Sequence, residues 1–296
     1  MKYDYIVIGA GSAGAIIATR LTENPSKSVL LLEAGPDYAD LESLPDEVRY
    51  GNAIATSIMT SDHNWQFTGR ATDEAEPMLV PRGKITGGSS AINAQIFLRG
   101  DPGDYDNWAE WGNDRWSFEK SLPFFRKLET DTNYSDDFHG TDGPIIARRF
   151  KPDEWLPAQT AFYNACKASG FPDSPDHNSP DATGIGPTPF NNPNGIRWST
   201  ALGYLDPARH RLNLTIRPNC TVHRLIFEGK RATGAEVESG GETFHLSGSV
   251  VILSAGAIVS PQLLMLSGIG PRADLEALKV PVVHDSPGAG RNMKNH

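Results

Sequence analysis

An α/β fold, in which a parallel sheet joins an antiparallel β-meander, is what three stretches of the sequence predict. Residues 4–33 run strand, glycine turn, helix and strand, and close on an acid. Residues 214–246 alternate short β segments with turn residues, and residues 249–256 form a continuous apolar strand ending in small residues. Between them, residues 131–211 turn rich in Pro, Gly, Asn and Asp, as in Asn191-Asn192-Pro193-Asn194-Gly195, and read as an inserted, loop-rich cap. The organisation expected is a sheet domain in two parts, 1–130 and 212–296, with a partial cap or substrate domain over 131–211.

The opening stretch carries the most information. Tyr5-Ile6-Val7-Ile8 suits a strand buried on both faces, and Gly9-Ala10-Gly11-Ser12-Ala13-Gly14 turns it into a helix that runs to about Glu23. Ile16, Ile17 and Leu21 face inward, and Ala18 stands where that helix must pack closely on the sheet. Ser28-Val29-Leu30-Leu31-Leu32-Glu33 is a second parallel strand, ending on a carboxylate nineteen residues after Gly14. A GxGxxG run alone is a weak signal. Strand, turn, helix, strand and terminal acid together define a Rossmann-like dinucleotide-binding unit, with glycines for close approach to a pyrophosphate and an acid for ribose hydroxyls. The unit suits NAD and FAD equally, and a carboxylate at 33 disfavours a phosphorylated ribose.

Residues 36–78 read as an irregular excursion, in which Trp65 and Phe67 fit either a cofactor wall or plain core. From Arg82 to Gly100 comes a loop with adjacent glycines and small hydroxyl residues, opening into a helix from about Ser90. Such a loop suits a flat, partly anionic ligand such as an isoalloxazine with its pyrophosphate tail, with a Gly-rich bend packed inside an ordinary domain as the alternative. Asp101 to Arg126 is a Trp-rich helical stretch with Trp108, Trp111 and Trp116, and the cap holds one amphipathic helix, about Leu156 to Ser169. The β segments Leu214–Arg217, Val222–Phe227, Gly234–Glu238 and Glu242–Leu246 follow, with turns at Glu228-Gly229-Lys230 and Ser239-Gly240-Gly241. The apolar strand from Ser249 returns to the parallel sheet, and helices at Pro261–Ser267 and about Ala273–Leu278 lead into a Gly-rich tail.

Composition narrows the function class. A net charge of −9 without basic stripes argues against nucleic acid or an anionic membrane as partner, and favours small-molecule chemistry. Cys166 and Cys220 make neither a disulfide framework nor a metal motif, so no metal is expected. No apolar run reaches membrane-spanning length, and the N-terminus enters a strand without a basic leader, from which a cytoplasmic location is expected. The sequons at Asn133, Asn213 and Asn219 then have no role.

Two longer motifs resemble those of the glucose-methanol-choline (GMC) flavin oxidoreductases. Gly83 to Asp106 is similar to that family's first signature, and Gly256 to Gly270 to its second. His139-Gly140-Thr141-Asp142-Gly143-Pro144, Arg197-Trp198-Ser199-Thr200-Ala201 and Gly288-Ala289-Gly290-Arg291-Asn292 are similar as well, in collinear order over the whole chain. The resemblance implies FAD. Gly9, Gly11, Ser12 and Ala13 would hold the pyrophosphate, Glu33 the ribose, and the backbone at Val222 the adenine. Arg82, Gly83, Gly88, Ser89, Asn93, Ala94, Gln95 and Ile96 would face the pyrophosphate and flavin ring, with Ala255 and Gly256 closing the other side. Gly14, Ala34 and Trp65 complete the candidate set.

Ile92 stands where some relatives carry a flavin-linking histidine, so dissociable, non-covalent FAD is expected, and Thr86 replaces a usual aliphatic residue, altering packing or adding a hydroxyl near the cofactor. Family members resembled here are close to twice as long, and their catalytic His and its partner lie in the half not represented. None of the eight His sits in that motif, and His296 reads as an exposed terminal residue, so no catalytic residue is nominated. The expected function is the FAD-binding half of an enzyme oxidising alcohols to aldehydes or ketones by hydride transfer to flavin N5. It would need a C-terminal half or partner chain, and truncation should leave an apolar face exposed. The alternatives are a non-catalytic flavin-binding or partner-binding protein and, leaving the two signatures unexplained, a nicotinamide-dependent dehydrogenase.

Overall fold

A computed structural model describes residues 2–51 and 55–293. Its described residues fall into two compact units, one within Met1–Arg49, Ala53–Ile92 and Ser199–His296, the other within Tyr50–Asn52 and Asn93–Trp198. These units divide the chain after Ile92 and Trp198, at other points than the composition shifts at 130 and 211.

The first unit holds β1 (Lys2–Ile8), α1 (Ser12–Leu21), β2 (Val29–Leu32), β3 (Leu214–Arg217), β4 (Thr221–Glu228), β5 (Arg231–Ser239), β6 (Glu242–Leu253) and α2 (Gly256–Leu266). Its six-stranded sheet has the order β3-β2-β1-β6-β5-β4. The first three pairings are parallel and the last two antiparallel. Alternation along the parallel strands divides the core. Ile6, Ile8, Leu30 and Leu32 meet Leu225, Val237 and Leu263 on one face, whereas Val7, Val29 and Leu31 meet Ala15, Ala18 and Leu205 on the other. Covering both faces is why β2 and residues Ile6 to Ile8 of β1 are apolar throughout.

Four sequence expectations change. Leu214–Arg217 does not join the meander but lies parallel to β2 on the opposite edge, in register Val29↔Leu214. Glu242–Leu246 and the strand from Ser249 are one element, β6, pairing antiparallel with β5 up to Ser247 and parallel with β1 from there to Leu253. Gly248 lets that strand pass tightly over β1, since a Cβ there would stand 2.8 Å from Cγ1 of Ile6. The helix placed at Pro261 begins at Gly256, with Pro261 inside it. No helix follows Ser90: a single 3₁₀ turn, Gly88–Ala91, gives way to irregular backbone. The Asn93 side chain accepts the Gln95 amide at 3.0 Å and Gln95 adopts φ +65°, a local alternative that competes with helical bonding.

The second unit contains helices Pro102–Glu110, Phe118–Leu128 and Pro157–Ala168 and a three-stranded sheet of Glu129–Asp131, Ile145–Arg149 and Pro189–Phe190. Asp101 and Ser117 cap the first two helices by accepting the Gly103 and Lys120 amides. The sheet's short strands are tied by buried charges: Arg149 donates to both oxygens of Asp131 at 2.7 and 3.0 Å and to Asp176, and Arg99 donates to Glu129 at 2.5 Å.

Candidate functional site

In the first unit a cleft of about 590 Å³ opens where β1, β2 and β6 end. Its floor is made by chain reversals that require glycine. Gly9 has φ +94°, and a Cβ on it would stand 2.6 Å from the Ser254 carbonyl oxygen, so the ends of β1 and β6 approach as bare backbone. Gly14 supports the turn without lining the cleft, because its Cβ would fall 1.9 Å from the Gly9 carbonyl oxygen. α1 begins at the cleft with Gly11 as its N-cap and no side chain capping it, which presents free amides and the positive end of the helix dipole.

The loop 82–91 forms the facing wall. The Gly87 amide donates to the Ala10 carbonyl at 2.8 Å, and Gly88, at φ +53°, brings its backbone so near Gly11 that a Cβ would lie 2.6 Å from the Gly11 Cα. The same loop runs antiparallel to residues 63–65, with Trp65 N bonded to Arg82 O at 3.0 Å. That pairing sets Trp65 and Phe67 on the cleft wall, their rings stacked at 5.6 Å.

Glu33 closes one end. It is 6% exposed, its Oε2 accepts the Ala10 amide and its Oε1 the Gly35 amide, both at 3.0 Å. Burial pushes its carboxyl up to about 7, with the Gly35 and Ala10 amides opposing the shift. The segment Cys220–Val222 is held beside it by Cys220 N donating to Glu33 O at 2.9 Å, and burial raises the Cys220 thiol.

The cleft thus gathers Gly9, Gly11, Ser12, Ala13, Glu33, Ala34, Trp65, Arg82, Gly83, Gly88, Ser89, Val222, Ala255 and Gly256. Asn93, Ala94, Gln95 and Ile96 do not line it; they belong to the second unit, where Asn93 O accepts Arg197 Nε at 3.0 Å. Sequence reasoning passed over Cys220, Thr221, Ser254 and residues 257–260, which line it too. Their signal was position alone, directly beyond strand ends. Thr86 does not line the cleft, and its hydroxyl is buried without a hydrogen-bond partner among the described residues. Ile92 packs against Val48, Ile58 and Ile85. His296 lies outside the described residues.

In the second unit Glu129, Asp131 and His139 come close enough to share an ion, a grouping the sequence spacing did not suggest. Arg149 already occupies both oxygens of Asp131, and Arg99 one of Glu129, so the carboxylates have their cations. Among the described residues no helix is long and apolar enough to cross a membrane.

Parallel strands that end at a glycine-walled cleft with a buried acid define a dinucleotide-binding protein of the Rossmann-like class. The chain belongs to the GMC oxidoreductase family, whose sequence profile matches residues 3–296. It is 42% identical over its full length to the oxygen-dependent choline dehydrogenase of Escherichia coli K12, covering 54% of that protein. Against the enzyme of the same name from Photobacterium profundum it is 38% identical over 99% of its length, covering 51%. Among solved structures, pyridoxine 4-oxidase from Mesorbium loti superposes with a TM-score of 0.89 at 33% identity, over 97% of this chain and 56% of that one. An Aspergillus oryzae formate oxidase superposes at 0.88 with 29% identity, over 98% and 52%. The chain spans about half the length of the curated relatives it matches.

Proposed function

We propose that the chain is the FAD-holding half of a GMC oxidoreductase that oxidises CH–OH donors to aldehydes or ketones, and that a second polypeptide half completes catalysis. The observation that carries this is the contact of two bare glycine backbones, Gly11 and Gly88, across a cleft that ends on a buried acid. A Cβ on Gly88 would stand 2.6 Å from the Gly11 Cα, so the loop reaches the start of α1 only as bare backbone, and the uncapped start of α1 supplies amides for a pyrophosphate's charge. Glu33 would hold ribose hydroxyls, residues 220–222 the adenine, and Arg82 to Ser89 with Ala255 and Gly256 the flavin end. FAD, when bound, supplies the acceptor for the hydride leaving the substrate carbon.

This chain's residues bind and orient. The glycine turns fix the cofactor's position, and the stacked Trp65 and Phe67 keep water from one wall. Among the described residues the cleft lining contains neither His nor Tyr, and Glu33 is engaged with two amides, so a base for the hydroxyl proton comes from the second half. The same lining, with Ile92 packed in the core, supports dissociable FAD. That want of a base also favours the alternative, a flavin-binding protein without turnover.

The test is an absorbance spectrum after incubation with FAD and desalting, for the chain alone and with a candidate second half. Flavin retained by the chain alone and bleached by an alcohol only when both halves are present is the expected result. Retention with no bleaching under any combination supports the non-catalytic alternative, and no retention refutes the cleft as a flavin site.

A further inference from the structure

We propose that Glu47, His63 and Tyr38 form a hydrogen-bond relay that holds the His63 ring in one tautomer and through it positions Trp65 on the cleft wall. His63 is then a positioning residue, and its effect on flavin rests on the reading of the cleft as a flavin site. The three side chains stand behind the cleft wall rather than on it, while Trp65 lines it.

The relay joins three segments of the first unit. His63 is buried, with Nε2 2.8 Å from the Tyr38 hydroxyl, and Nδ1 3.2 Å from Glu47 Oε1 and 3.0 Å from Ser61 Oγ. Burial, with the Glu47 charge adding to it, raises the Tyr38 phenol above its ordinary value, so the phenol keeps its proton and donates to Nε2. A neutral imidazole that accepts at one nitrogen carries its proton on the other, so Nδ1–H faces the Glu47 carboxylate. Tyr38 is a fixed post for this contact: Arg209 donates to both oxygens of Asp37 at 2.7 Å and to Tyr38 O at 3.1 Å. Glu47 comes from the short helix Asp46–Arg49.

The backbone that follows the ring carries the constraint to the cleft. His63 O accepts the Lys84 amide at 2.7 Å, Asn64 Oδ1 the Arg82 amide at 3.0 Å, and Arg82 O the Trp65 amide at 3.0 Å. Lys84 Nζ sits 5.1 Å over the Trp65 ring, and Trp65, Arg82 and Gly83 all line the cleft. Gln66, next in the chain, adopts φ +56°, a left-handed conformation disfavoured for a residue with a side chain. Such strain persists where the surroundings over-determine it. Here they meet at Ser61, whose carbonyl accepts Gln66 Nε2 at 3.0 Å and whose hydroxyl accepts the His63 amide at 2.9 Å while touching His63 Nδ1. The bend 61–66 closes around the His63 ring, so the direction in which it aims Trp65 follows the place of that ring.

Long-range proton–nitrogen NMR spectra of the unliganded chain test the tautomer, with the His63 signals assigned by their loss in His63→Gln and the Trp65 indole signal by its loss in Trp65→Phe. Nδ1 should carry the proton and Nε2 should not. Tyr38→Phe, which removes only a hydroxyl, should shift both His63 ring nitrogens and the Trp65 indole signal. Bound FAD should then leave about 2- to 12-fold faster, the effect of one lost hydrogen bond. Glu47→Gln should act in the same direction, and the two changes together should do little more than either alone, because both act through one ring. His63→Gln, whose side-chain amide reaches the place of Nε2, should restore most of the flavin retention lost in His63→Ala. A ring protonated at Nε2, or a Trp65 signal that neither Tyr38→Phe nor Glu47→Gln moves, overturns the relay. Should a variant fail to fold, the tautomer in the unaltered chain decides by itself. A chain that shows the Nδ1–H tautomer and the coupled Trp65 shift but never retains FAD supports the relay and refutes the cleft as a flavin site, so the two proposals fail separately.

Discussion

Replacing Glu33 by Gln probes the nucleotide end of the cleft where its chemistry is most sharply defined. Glu33 accepts two backbone amides at 3.0 Å and sits at about 7, raised from 4.5 chiefly by burial. A carboxyl raised on folding binds its proton more tightly in the folded chain than in the unfolded one. The stability that this group contributes is therefore greatest below the unfolded value of 4.5 and falls as pH rises to about 7, by about 3 kcal/mol in all. On the proposed placement, ribose hydroxyls donating to the ionised carboxylate would recover part of that loss, so adenine-nucleotide binding should release a proton. Affinity should then rise about tenfold per unit below pH 7 and level off above about pH 8. Hydrogen bonds to a charged acceptor are worth about 1.5–3 kcal/mol, so Glu33→Gln should weaken ADP binding about 10- to 150-fold at about pH 8. At about pH 5.5, where Glu33 is itself protonated, the two proteins should differ little. Calorimetric titration with ADP, in buffers of different ionisation enthalpy, measures affinity and proton release together. A wild-type affinity that ignores pH, or a Gln variant weakened equally at every pH, would refute the assignment of Glu33 to the ribose.

Gly88→Ala places a Cβ 2.6 Å from the Gly11 Cα at a residue with φ +53°; it should cost about 2–3 kcal/mol and abolish flavin retention, read by urea denaturation and by the absorbance of the desalted protein. Thr86→Val removes a buried hydroxyl that has no partner among the described residues and should stabilise the chain by about 1 kcal/mol, measured in the same denaturation; a loss of stability would show that the hydroxyl is bonded in solution. Arg149→Met leaves Asp131 and Asp176 buried without their shared cation and should destabilise the second unit by about 3–5 kcal/mol, seen as an earlier loss of near-ultraviolet dichroism; an unchanged transition would show that these carboxylates are not charged.

Much of the cleft was legible in the chain. The strand, glycine turn, helix and acid of residues 4–33 are set by sterics and alternation over a few neighbouring residues, and the hairpin turns at Gly229 and at Gly240-Gly241 take the positive φ those glycines permit. The expected helix after Ser90 failed for a local reason too, since Asn93 and Gln95 bond each other instead.

The sequence by itself determined the class of fold, the family and the two walls of the cleft, because glycine spacing and apolar alternation act within a segment. Tertiary structure alone decided which distant segments meet. It set Gly88 against Gly11, moved Leu214–Arg217 to the far edge, merged two predicted strands into β6, and gathered Arg99, Glu129, Asp131, Arg149 and Asp176 into one buried network. The physical reason is that burial and strand pairing are summed over residues far apart in the chain, so no short stretch carries a signal for them.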